Sequence, residues 1–374
     1  MPVSPGFSLD EYTGLLRDTP GTLMKDDREH SFRRNLLICL GTALGICAAV
    51  ELTCVSLGVA PFFTPNLPLN EKMRFLREHP PGYVPIGVIS GASIALNDID
   101  SDLLEDDEGR PFVNLGANGV SVPTSEQFYK ELAELYPVRE VIFATSPIEM
   151  RDAYRSDVQV PAAVFRRYVL GRMTMAEEFT YRDIPGLMSY VNNWHEYHSR
   201  TTPSSMAFTK TGAVPLEFGV DTVSRRTWNG EAIFDSTANC VHCMDDLAQF
   251  CRDVRGEGLP FTVVVGPIWP EVTERLPKIR AVVANRRAQL RAVTQQCNAT
   301  LFDITDHATL DDSCFANSLH LNAQGMSAMT AQFIRFRRGQ SISKGMALPC
   351  GGPRVARESG SGGEKASGPQ ANSE

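Results

Sequence analysis

The chain has 374 residues, a net charge of −8 and 43% apolar residues, with a pI near 5.5. That length can bury one large core or two modest ones. The acidic balance, with no basic stripe carrying interleaved aromatics, argues against a nucleic-acid partner.

Residues 1–34 are polar and mixed in charge, and read as a disordered cytoplasmic segment. Residues 35–63 carry a single charge, Glu51, and supply the ~20 apolar residues that a spanning helix needs. A carboxylate at Glu51 fits near an interface, where it costs less than at the bilayer centre. Arg33 and Arg34 precede this run, and Lys72, Arg74 and Arg77 follow it, so the positive-inside bias is modest. We read a transmembrane signal-anchor that leaves the bulk of the chain outside the cytoplasm. Two alternatives stay open. One is a buried core helix. The other is a cleaved signal peptide, for which the leader is long and no small-x-small site follows. Residues 64–80 read as a membrane-proximal linker, 81–338 as one domain, and 339–374 as a low-complexity, disordered tail.

Within that domain, apolar runs at 86–89, 112–115, 141–145, 261–265 and 301–304 predict buried strands. Between and after them, 124–136, 244–254, 278–297 and 323–336 predict helices; Ile279, Val283, Leu290 and Val293 share one face of the third. The alternation predicts an α/β fold, a flavodoxin-like three-layer sandwich on a mainly parallel sheet. In such sheets the site forms beyond the carboxyl ends of the strands.

Residues 150–250 depart from this pattern and read as a helical insertion facing the substrate. His195 and His198 stand three apart there, beside Trp194 and Tyr197. That spacing can put two metal ligands on one helix face, although surface or lid histidines are the plainer reading. Cys39, Cys47 and Cys54 lie in the apolar span. The remaining Cys240, Cys243, Cys251, Cys297, Cys314 and Cys350 permit up to three disulfides outside the cytoplasm. Cys240-Val-His-Cys243 can also be a redox motif or half a metal site, but no second ligand pair at zinc spacing accompanies it, and a structural disulfide is the plainer reading. No metal or cofactor is implied.

Ser93 follows the first strand in Gly91-Ala92-Ser93, where small neighbours let a substrate carbonyl approach the backbone. A serine hydroxyl attacks only when a base takes its proton and donors hold the oxyanion. The loop Asn114-Leu-Gly116-Ala-Asn118-Gly119-Val-Ser121 offers such donors in the Gly119 N–H and the Asn118 side chain, with Asn97 as a further candidate. The base candidate is His320, in Asn317-Ser-Leu-His320, just before the last helix. Gly-Ala-Ser alone is an ordinary tight turn; the order of the three elements gives it weight.

These blocks resemble the SGNH (GDSL-like) hydrolase superfamily. Gly91-Ala92-Ser93-Ile94 is similar to the nucleophile block, with Ala92 in place of the usual Asp. Asn114-x-Gly116-x-x-Gly119-x-Ser121 resembles the glycine block, and Asn317-x-x-His320 the Asp-x-x-His block with its first residue changed. The stretch from Ser93 to Leu104, the His320-Leu-Asn-x-x-Gly325 phrase and the N-terminal span look most like membrane-anchored O-acylation accessory proteins. Those are of the teichoic-acid D-alanine transfer and alginate O-acetylation type. The resemblance covers about 84–338 and is weak in its middle.

Two departures stand out. Thr145-Ser-Pro-Ile-Glu149 occupies the place of a Gly-x-Asn-Asp block, so the oxyanion Asn is missing. Asn317 replaces the triad Asp. An amide can hydrogen-bond the imidazole but cannot stabilise its charge, and it can favour the wrong tautomer; such a swap costs roughly 10⁴ in rate in a serine protease. Ser93 and His320 can act as a dyad, or Asp311 or Asp312 can reach the ring.

The resemblance implies a membrane-anchored, extracytoplasmic O-acyl esterase or acyltransferase acting on an envelope polysaccharide or related polymer. Its partner would be a multi-spanning membrane O-acyltransferase. A second expectation is a catalytically impaired glycan-binding or scaffold protein that assists such an enzyme. A third is a secreted small-ester lipase.

Overall fold

The computed structural model describes residues 24–150, 161–219, 242–340, 346–348 and 350. The chain divides into two units, Met1–Val59 and Ala60–Glu374.

The first unit is helix α1, Met24–Ser56. Its stretch His30–Ser56, 27 residues with a mean hydropathy of 2.0, is long and apolar enough to cross a membrane. Leu36, Leu37, Ile38, Leu40, Leu44 and Ile46 stand exposed along it.

The expected span ran to 63, but the helix stops at Ser56 and Gly58 takes a positive φ of 63°. Phe62 and Phe63 belong to the second unit. Phe62 N–H donates to Tyr181 O at 2.9 Å, and the Phe63 ring packs on Tyr168 and Tyr181. The expected linker at 64–80 is likewise a packed helix, α2 (Leu67–Glu78). Asn66 caps it, and Leu69, Met73 and Leu76, at helical spacing, are buried.

Then follow β1 (Ile86–Gly91), α3 (Ser93–Asn97), α4 (Ser101–Glu108), β2 (Phe112–Asn114), α5 (Val122–Ala133) and β3 (Val138–Thr145). Four short helices come next: α6 (Ala162–Val169), α7 (Met175–Phe179), α8 (Ile184–Asn192) and α9 (Trp194–His198). The sandwich resumes with α10 (Cys243–Gly256), β4 (Phe261–Val265), α11 (Pro270–Arg275), α12 (Pro277–Gln296) and β5 (Thr300–Asp303). It closes with β6 (Ala308–Leu310), α13 (Ala323–Arg337) and β7 (Met346–Leu348).

The main sheet has the order β2-β1-β3-β4-β5, every pairing parallel. That is the doubly wound α/β arrangement expected, and its strand order reverses between β1 and β3. Alternate side chains build two cores. Val88, Val141, Phe143, Val263 and Val265 pack with the buried faces of α2, α5 and α10. Ile89, Ile142, Ala144, Val264 and Phe302 pack with those of α3, α4 and α13. The strands therefore read as continuous apolar runs because both faces of the sheet are covered.

Two disulfides brace the frame: Cys251–Cys297 joins α10 to the end of α12, and Cys314–Cys350 anchors the chain beyond α13. Cys243 is disulfide-bonded as well. The tail was expected to be unstructured from 339, yet β7 pairs with β6 through Ala308–Met346 and its neighbours, held beside the Cys350 link. Cys240, the ends of the expected insertion at 151–160 and 220–241, the first 23 residues and 351–374 lie outside the described residues.

Candidate active site

Gly91 ends β1 with φ of +137°, and a Cβ there would stand 2.2 Å from Ala144 O. Only glycine lets β1 lie this close to β3 while turning into α3. The turn delivers Ser93 at the carboxyl end of the sheet, at the switch point. Gly116 serves the neighbouring loop in the same way: a Cβ would meet Leu96 N at 2.5 Å. Asn114, fully buried, ties this loop to α3, its Nδ2 donating to Ala95 O at 2.6 Å and its Oδ1 accepting from Gly116 N–H at 2.8 Å.

His320 comes from the other end of the chain. Phe315 and Leu321 form an antiparallel bridge, and Ala316 N–H donates to His320 O at 2.9 Å, closing a tight loop. Leu321 N–H donates to Asp98 Oδ1 at 3.0 Å, which fixes that loop to the end of α3. His320 Nε2 then stands 2.8 Å from Ser93 Oγ. Sequence order alone pointed to this pair, and the fold brings it into contact.

Asn317 lies behind the ring, Oδ1 at 3.1 Å from His320 Nδ1. The same oxygen accepts the N–H groups of Leu319, at 2.9 Å, and His320, at 3.0 Å. Two backbone donors can point only at an amide oxygen, so the orientation of Asn317 is fixed. An oxygen facing Nδ1 requires Nδ1–H, and that leaves the Nε2 lone pair aimed at Ser93. The concern that an amide would favour the wrong tautomer is thus answered in the opposite sense. The charge deficit remains. Asp312 is engaged by Trp269 Nε1 at 2.7 Å, and Asp311 by Ser313 N–H at 2.9 Å, so neither supports the ring. Burial lowers the His320 pKa to about 4, which keeps the imidazole neutral and able to accept a proton near pH 7.

The second neighbour of Ser93 was not singled out as a site residue. Glu149 Oε1 stands 2.7 Å from Ser93 Oγ and accepts Ile94 N–H at 3.1 Å. A turn after β3 carries it, with Glu149 N–H donating to Ser146 Oγ at 3.2 Å. Because Gly91 pairs with Ala144, the segments leaving β1 and β3 emerge side by side. Burial raises the Glu149 pKa, against hydrogen bonds that lower it. Asp98 is also buried, with Oδ2 unpartnered, and burial together with the Glu149 charge pushes its pKa well up. The one available sequence signal was a lone acidic residue just past the carboxyl end of an apolar strand at the switch point.

The remaining candidates sit less directly. Gly119 has a positive φ of 71°. Asn118 makes contacts elsewhere: its Nδ2 lies 3.5 Å from Pro203 O, and its carbonyl accepts from Asn66 Nδ2 at 3.1 Å. Neither is hydrogen-bonded to Ser93. Asn97 is buried one turn beyond Ser93, its side-chain amide unpartnered among the described residues. His198 stacks on Trp194 and its Nδ1 meets Trp194 O at 2.9 Å. Among the described residues no cluster of His, Cys, Asp or Glu is arranged to hold a metal ion.

The structure thus has a serine–histidine pair at the switch point of a doubly wound α/β sandwich. No protein-family model matches the chain, and no curated protein matches it. Among solved structures it is similar to a lipase/acylhydrolase from Enterococcus faecalis, at 13% identity over 70% of this chain and 100% of that one, with a TM-score of 0.35. It is also similar to a carbohydrate acetylesterase family member from Sinorhizobium meliloti, at 10% identity over 68% and 100%, with a TM-score of 0.31. Likeness at this level carries no functional weight, and the reading of the site rests on its own geometry.

Proposed function

We propose that the protein cleaves or transfers an O-linked acyl group through a covalent acyl-Ser93 intermediate. The observation that carries this is the 2.8 Å approach of His320 Nε2 to Ser93 Oγ, with Nδ1 held by Asn317. Ser93 Oγ attacks the acyl carbon as its proton passes to His320 Nε2. The carbonyl π pair moves to oxygen. Collapse of the adduct expels the alkoxide, which takes the proton back from His320, and the acyl group stays on Ser93. Water or a second hydroxyl, deprotonated by His320, then attacks the acyl-serine and releases it. Asn317 orients the ring but adds no charge to oppose the imidazolium, so acylation is slow for a serine hydrolase.

In this proposal the acceptor or donor is an envelope polysaccharide or related polymer, and the protein is held at the outer membrane face by α1. The apolar length of α1 and the disulfides of the second unit support that placement. A multi-spanning O-acyltransferase would be the partner supplying or receiving the acyl group. A scaffold reading draws on one observation, the absence of a carboxylate behind His320 among the described residues. The two part on turnover of 4-nitrophenyl acetate by the full-length protein in detergent. Turnover with a burst, abolished in Ser93→Ala, supports the enzyme. Equal rates for Ser93→Ala and the parent protein support the scaffold.

A further inference from the structure

Ser93 Oγ has one proton and two close neighbours, His320 Nε2 at 2.8 Å and Glu149 Oε1 at 2.7 Å. Asn317 Oδ1, held by two backbone N–H groups, demands the Nδ1–H form of the ring. A neutral His320 therefore accepts the Ser93 proton at Nε2. The contact between Oγ and Oε1 then needs a hydrogen from Glu149 itself. A carboxylate in that place would also stand against the acyl oxygen as negative charge develops on it.

We propose that Glu149 works as a neutral carboxylic acid, its Oε1–H donating to Ser93 Oγ at rest and to the acyl oxygen while the ester is cleaved. This rests on the ester-cleaving reading and makes Glu149 a catalytic residue. When Ser93 forms its bond to the acyl carbon, the new oxyanion is bonded to the same carbon as Oγ, so a small rotation of the carboxyl carries the O–H from one oxygen to the other. The hydrogen bond from Ile94 N–H holds the carboxyl in place at 3.1 Å. Its burial favours the protonated form. Among the described residues, the titratable groups facing it are Asp98, from the end of α3, and His320, across Ser93. Burial opposes ionisation and outweighs the hydrogen bonds from Ser93, Ile94 and Thr145 that favour it, so the Glu149 pKa is raised. Asp98, its own pKa pushed well up, stands beside it as a neutral neighbour, and a neutral imidazole offers no cation to draw the proton off. A protonated carboxyl that donates to an oxyanion is an established solution in apolar enzyme sites. Atoms balance throughout: the proton that leaves Ser93 goes to His320 and then to the departing alcohol, while Glu149 keeps its own.

The test is the pH profile of 4-nitrophenyl acetate turnover and of Ser93 labelling by a fluorophosphonate, for the full-length protein in detergent. The parent protein should lose about tenfold in rate per pH unit once Glu149 ionises. Glu149→Gln, which can donate to Ser93 Oγ from its amide only by giving up the Ile94 N–H bond, should run about tenfold or more slower at neutral pH and show no alkaline limb. Glu149→Leu should fall by about 10² to 10³ at every pH. An alkaline limb that persists in Glu149→Gln overturns the proposal, as does a parent profile with no such limb. A faster Glu149→Leu also overturns it, since the carboxyl would then be an obstruction. If Ser93 is inert in the parent and in every variant, the ester-cleaving reading falls and this one falls with it. Labelling without the Glu149 signature removes this proposal alone.

Discussion

The two ends of β3 each present a buried glutamate, and they are treated in opposite ways. At the amino end, Glu140 sits in a ring with Glu108, Arg139 and Arg337. Arg337 reaches Glu140 at 2.7 Å and Glu108 at 2.6 Å, and Arg139 bridges to Glu108 at 3.0 Å. Two carboxylates meet two guanidiniums, and the charge cancels. Beyond the carboxyl end, Glu149 and Asp98 face each other with no Arg or Lys paired to either among the described residues. Glu149 Oε2 and Asp98 Oδ2 have no hydrogen-bond partner there. A fold that pairs its carboxylates at one end of a strand leaves two buried carboxyls without a counter-charge at the other, next to a serine and a neutral histidine. Compensated charge marks structure; buried carboxyls without a counter-charge mark the place where protons move.

This contrast predicts which property each end controls. The largest effect belongs to the carboxyl end. Ser93→Ala or His320→Ala should lower ester turnover by at least ~10⁴, and the double variant by little more, because the pair acts as a unit. Urea midpoints should hardly move. Next comes Glu140→Gln at the amino end. It leaves two guanidiniums facing one carboxylate and should cost about 2–3 kcal/mol in urea unfolding, discounted for partial exposure. Turnover per folded molecule should not change. Should Glu140→Gln alter turnover and spare stability, the division between the two ends is wrong.

Asn317→Asp should raise turnover at least about tenfold, since a carboxylate in that place stabilises the imidazolium. It should also move the acidic limb of the rate profile upward from about 4, the His320 value in the parent protein. A last effect is on the pH dependence of stability. His320 titrates near 4 when folded and near its ordinary 6.5 when unfolded. Between those values the unfolded chain binds more protons, so stability present above pH 6.5 is lost as the pH falls toward 4. In His320→Gln the urea midpoint should vary less across that window.

Much of the frame was legible because the strands are buried on both faces and read as unbroken apolar runs. The pairing of Ser93 with His320 was legible from element order, since β1 and the last loop both open on the carboxyl side of the sheet. Other features depended on contacts that no local pattern carries. The apolar run at 57–63 resembled a continued span, but Phe63 packs on the tyrosines of α6 and the α7–α8 turn and Phe62 N–H donates to Tyr181 O. Cys350 counts among the six cysteines available for disulfides, but its pairing with Cys314 cannot be deduced from spacing. Asn317 looked like a loss because its residue type shows, whereas the two N–H groups that orient its oxygen do not. Glu149 was passed over because its chemistry arises from the β1–β3 register that brings it to Ser93.

The central claim is that Ser93 is a nucleophile activated by a histidine that only an amide supports. Mass spectrometry of the full-length protein, acid-quenched during turnover of 4-nitrophenyl acetate, tests it most directly. The account predicts one acetyl group, located on Ser93, and no adduct in His320→Ala on the same timescale. Acetylation elsewhere with Ser93 unmodified, or equal acetylation of Ser93 in His320→Ala, would contradict it.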